Sequence, residues 1–89
     1  YPNPFNPSTV IRFAIPGQRS EVRYALSLYN IRGQLVRTLV KGMVGNVGLT
    51  KKVVWEGMDN AGRMAGTGVY FYRLTVGEQV KKGAMVLVK

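Results

Sequence analysis

Glu56 and Asp59 stand three residues apart in Trp55-Glu56-Gly57-Met58-Asp59-Asn60-Ala61-Gly62, two of only four acidic side chains in the chain. Carboxylates at short spacing are the raw material of glycosidic acid–base chemistry or of a cation site. A calcium loop needs more oxygen ligands than Glu56, Asp59 and Asn60 supply, and no other residues announce a cleft for a sugar. The plainer expectation is a turn. Asp59 and Asn60 accept bonds from nearby backbone N–H groups, Gly62 takes a positive φ, and Gly57 and Gly68 bound the connection. Ser8, Ser20 and Ser27 have no imidazole to activate them, because the chain contains no His and no Cys. Nucleophilic catalysis, zinc or haem ligation and disulfide stapling therefore lose their usual residues, and the expectation is a protein that is not an enzyme and uses no metal or cofactor.

Charge is the strongest compositional signal. Thirteen Lys and Arg against four Asp and Glu give a net charge of +9. That excess favours an anionic partner, such as an acidic or lipid-linked surface glycan. Nucleic acid is the less favoured anion: the basic residues are scattered, no nucleic-acid-binding motif is present, and Tyr70 and Tyr72 fall at core-like positions.

The elements that would hold these residues read as strands. Across 89 residues, apolar side chains recur at period two with no sustained helical period, so a single all-β domain is expected over residues 1–89. Ile11, Phe13 and Ile15 share one face of Thr9 to Ile15, before Pro16-Gly17 ends the strand. Arg23 to Asn30 and Gln34 to Val40 make a hairpin through Arg32-Gly33. Lys41 to Gly48, with three Gly, reads as a loop. Thr50 to Glu56 places Val53 and Trp55 together, Val69 to Val76 aligns Tyr70, Tyr72 and Leu74, and Gly77-Glu78 suits a type II′ turn into Gln79 to Lys89. The expected core is Trp55, Tyr70, Tyr72 and Leu74. Six to seven short strands in so small a domain favour a two-sheet antiparallel sandwich over an open sheet, with a closed small barrel as the rival. No apolar run approaches the length of a transmembrane helix.

Two features remain. Pro2, Pro4 and Pro7 stiffen an extended lead-in over residues 1–8 that also holds Tyr1 and Phe5. It reads either as a proline-motif ligand for a partner groove or, more plainly, as a stiff arm whose Phe5 packs on the sandwich. Strand faces near the C-terminus are apolar on both sides: Met85 and Leu87 point one way, Val86 and Val88 the other, and Val69 and Phe71 oppose Tyr70 and Tyr72. Such a face either calls for a cover, whether the lead-in, another domain or a second copy joined by strand addition, or is the scatter of surface apolars common to folded proteins.

The opening YPNPFNPST, the central LYNIRGQLVRTL and the later WEGMDNAGRMAGTGVYFYRL, in order over the whole chain, resemble the C-terminal sorting domain of type IX secretion substrates, also called the Por secretion tail. They are similar as well to the related Ig-like domain of flagellar hook-cap proteins. The resemblance implies an Ig-like sandwich on a protein carried across the outer membrane of a Gram-negative, Bacteroidetes-type bacterium and then held at the cell surface or released. Its partner would be the outer-membrane secretion machinery. The address would include the extreme C-terminal strand, here Met85, Val86, Leu87, Val88 and Lys89.

Overall fold

The computed structural model describes residues 8–88. The lead-in residues Tyr1, Pro2, Pro4, Phe5 and Pro7, and Lys89 at the other end, lie outside them. Six strands follow in order: β1 (Thr9–Ile15), β2 (Val22–Tyr29), β3 (Leu35–Val44), β4 (Leu49–Trp55), β5 (Gly68–Val76) and β6 (Gln79–Leu87). No helix occurs among the described residues. β1 pairs with β4 in a two-stranded sheet, and the second sheet runs β3-β2-β5-β6, every pairing antiparallel. The fold is an all-β antiparallel sandwich. This order corresponds to the B-E and C′-C-F-G sheets of a fibronectin-type sandwich.

Period-two patterning decides which faces meet. Ile11 and Ile15 from β1, Tyr24, Leu26 and Leu28 from β2, Trp55 from β4, Tyr70 and Leu74 from β5 and Leu87 from β6 are all buried in one cluster between the sheets. Trp55 sits at its centre, 1% exposed. The Tyr70 ring meets it edge-on at 5.1 Å, a geometry that sets the positive ring edge on the negative face. Both polar tips are satisfied: Trp55 Nε1 donates to the Met58 carbonyl at 2.9 Å, and the Tyr70 hydroxyl donates to the Gly66 carbonyl at 2.6 Å. The second contact, from the start of β5 back to the β4–β5 connection, is the tyrosine corner of immunoglobulin-type sandwiches. Tyr72, expected in the core with Tyr70 and Leu74, is only half-buried, packing against the cluster from the side.

The Gly77-Glu78 turn joins Val76 to Gln79, with φ +57° at Gly77 and no positive φ at Glu78. That sequence of signs matches a type II′ hairpin and excludes type I′.

The expected loop over Lys41 to Gly48 is a correction. β3 continues through Val44, which is buried opposite Val22. Gly42 does not break the strand because Tyr24, its partner on β2, lays its ring over it, about 3.1 Å from where a Cβ would be. Tyr72 lies likewise over Gly83 on β6, so closely that a Cβ there would collide with the ring. Each aromatic ring supplies the cover that the glycine lacks. β3 also carries an unpaired residue at Val36 and another at Leu39. These bulges let Leu39 and its neighbour Val40 both pack on the core, which strict alternation forbids.

Candidate functional site

The acidic segment is a turn, twice over. Asp59 Oδ1 accepts from the N–H groups of Ala61 and Arg63, both at 2.9 Å. Gly62 N donates to the Asp59 carbonyl, and Gly62 has φ +82°. Asn30 makes the same set: its Oδ1 accepts from Arg32 N at 2.9 Å and Gln34 N at 3.0 Å, while Gly33, φ +79°, donates to the Asn30 carbonyl. Both are type I turns closed by a glycine bulge. Because an amide does at position 30 what the carboxylate does at position 59, these bonds need an acceptor oxygen and no charge. The bond from the Arg63 N–H, the largest influence, joined by that of Ala61 and by the Arg63 guanidinium at 3.4 Å, holds the Asp59 carboxyl below its ordinary value of 3.8 against the opposing effect of desolvation. Glu56 is exposed. Among the described residues no three His, Cys, Asp or Glu gather where they could hold a metal.

Asn60 reaches further than its sequence neighbourhood suggested. Its N–H donates to the Val36 carbonyl at 2.9 Å, and its Oδ1 accepts from Thr38 N at 3.1 Å. One residue of the β4–β5 connection thus occupies the outer edge of β3 between the two bulges. The connection is pinned below by Arg37, whose Nη1 lies 3.5 Å from the Met58 and Asp59 carbonyls. Gly57 is buried with φ +80°, and Gly68 opens β5. All five expected turn residues lie in or bound this connection.

The opposite edge is β6. It runs in unbroken register against β5 from Gln79 to Leu87, and its outward backbone groups meet no partner among the described residues. Its first half carries Lys81 and Lys82. Lys81 shares the inward parity of Leu74 and stands at a shallow groove of about 130 Å³ lined also by Ile15 and Val76; an inward-pointing charge of this kind discourages pairing with another strand. The second half is apolar. There the expected address divides by face: Leu87 is 1% exposed in the core and Met85 packs against it, while Val86 and Val88 are 61% and 69% exposed.

The outer face of the four-stranded sheet completes the exposed apolar surface. Tyr29 stands opposite Phe71 and Phe71 opposite Ala84, with Val69 and Val86 paired in the next row. On the other side of the aromatic row, Ser27, Arg73 and Lys82 line up. The sequence had shown Phe71 and Val69 as outward, but not that Arg73 and Lys82 would stand beside them; that adjacency exists only once the register is set.

Comparison with known protein families, curated proteins and solved structures finds no match to this chain. Among the described residues no helix is long and apolar enough to cross a membrane.

Proposed function

We propose that this chain is a non-catalytic sandwich module by which an exported bacterial protein is recognised by outer-membrane secretion machinery and held at the cell surface, outside a Gram-negative cell. The resemblance of its sequence blocks to type IX sorting domains motivates this reading. The observation that carries it is the open, apolar second half of β6 beside an otherwise protected sheet. Outward N–H and C=O groups that meet no partner among the described residues, with exposed Val86 and Val88, would offer a receptor both a strand edge and side-chain specificity. Removing the whole terminal segment would also remove Leu87 from the core, so the informative variant is Val86→Asp with Val88→Asp in a reporter fusion expressed in a type IX-competent host. Export of the reporter is expected to fail while the domain still folds; export at the wild-type level overturns the reading.

The same edge favours a second reading, a homo-oligomer grown by strand addition into a filament or surface layer. A head-to-tail contact that does not close on itself propagates. The net charge of +9 opposes it through repulsion between copies, which salt screens. Sedimentation and electron microscopy of the chain with and without residues 1–8 decide the matter: a species that stays monomeric at high concentration and moderate salt is not a filament subunit.

A further inference from the structure

Arg73 and Lys82 stand directly opposite each other across β5 and β6. Like charges at that position repel. Neither makes an ion pair among the described residues. By register the outer face also carries Arg23 and Lys41, and none of Glu21, Glu56, Asp59 or Glu78 lies on it. The arrangement lacks an anion. Two residues further along the strands, about 7 Å away, lies the shelf of Tyr29 and Phe71, the latter 43% exposed. The shelf and both cations line one open depression of about 340 Å³.

We infer that this depression binds an acidic polysaccharide through a single uronate-type residue, its ring packed on Phe71 and Tyr29 and its carboxylate held between Arg73 and Lys82. The apolar C–H face of a pyranose buries against an aromatic ring, and a carboxylate shared by two cations makes the stronger class of hydrogen bond while removing their repulsion. A single-stranded nucleic acid fits less well, since it asks for successive stacking platforms along a charged track, and here one aromatic row meets one cationic row. A second copy fits worst, because two such faces would bring cation against cation. The inference supplies a ligand for the surface-attachment half of the proposed function and rests on that reading only for where the glycan is met.

The molecule contains its own control. Arg12 and Lys52 oppose each other on the outer face of the two-stranded sheet, flanked by Val10–Val54 and Ala14–Thr50 with no aromatic residue. Calorimetric or NMR titration of the full chain with trigalacturonate, maltotriose and a short single-stranded oligonucleotide reads the site. Trigalacturonate is expected to bind at least tenfold more tightly than maltotriose. Arg73→Gln, Lys82→Gln and Phe71→Ala should each weaken it about tenfold or more, and Arg12→Gln with Lys52→Gln by less than twofold. Should Phe71→Ala melt at a lower temperature, the two exposed charge variants carry the test alone. Equal losses from both cation pairs overturn the inference, since charge alone then explains binding; so does an oligonucleotide that binds as tightly through Phe71, Arg73 and Lys82. Absent binding with normal export removes this site and leaves the export reading standing. Normal export of the Val86, Val88 variant with intact binding does the reverse.

Discussion

At the β3 edge of the four-stranded sheet, Val36 and Thr38 are already engaged by Asn60, and two bulges twist the strand away from any straight partner. At the β6 edge the strand is straight, nine residues long and uncovered among the described residues. Among the described residues its protection is the Lys81-Lys82 pair in its first half. Natural sheets blunt their edges with bulges, charges or a covering loop because an open edge recruits other chains. The fold thus closes one edge by two devices and, among the described residues, leaves half of the other edge apolar and open.

The largest effect that tests this contrast is Leu87→Ala. If β6 is a built part of the sandwich rather than a loosely laid strand, removing that core side chain should cost about 2–5 kcal/mol and lower the melting temperature by on the order of 10 °C or more. Val86→Ala beside it, on the exposed face, should barely move the melt. Next comes the pair of covered glycines. Gly83→Ala must push the Tyr72 ring off the strand and should cost about 1–3 kcal/mol. Gly42→Ala asks the Tyr24 ring to give by only a few tenths of an ångström and should stay within about 0.5 kcal/mol of neutral in a denaturant melt. Asn60→Ala strips Thr38 of its acceptor at a cost of about 1 kcal/mol. It also opens the protected edge, so self-association by sedimentation should rise; an unchanged monomer would mean that the bulges alone suffice.

The smallest effect is acidic. The folded-state pKa of Asp59 is depressed, so its contribution to stability is fully present above the unfolded value and fades as pH falls through the lower folded one. Thermal melts below pH 3.8 should show a loss that Asp59→Asn lacks. At neutral pH the variant should melt like the parent, as the amide at Asn30 already does the same work.

Legibility in the sequence followed the range of the interaction. β1 and the Gly77-Glu78 turn were readable because their signals, alternating Ile11, Phe13 and Ile15 and a glycine at a hairpin tip, are local. The continuation of β3 was not, because Gly42 is a strand residue only under the ring of Tyr24, eighteen positions earlier. Period two cannot reveal a bulge, so the double inward packing at Leu39 and Val40 was hidden too. Asn60 was expected to accept from nearby backbone N–H groups, yet its side chain accepts from Thr38 on β3. The two faces of the C-terminal segment were readable from its alternation, but not which was the core: burial puts Leu87 inside and Val86 and Val88 outside.

The two tyrosine-covered glycines also make the edges observable. A ring stacked over a glycine shields its α-protons, so the resonances of Gly42 and Gly83 should be displaced upfield by ring current. They would be separate, label-free reporters on the two margins of one sheet. When a receptor, a glycan or a neighbouring chain engages β6, the Gly83 signal should move while that of Gly42 stays, and the engaged margin can be told from a spectrum before any complex is solved.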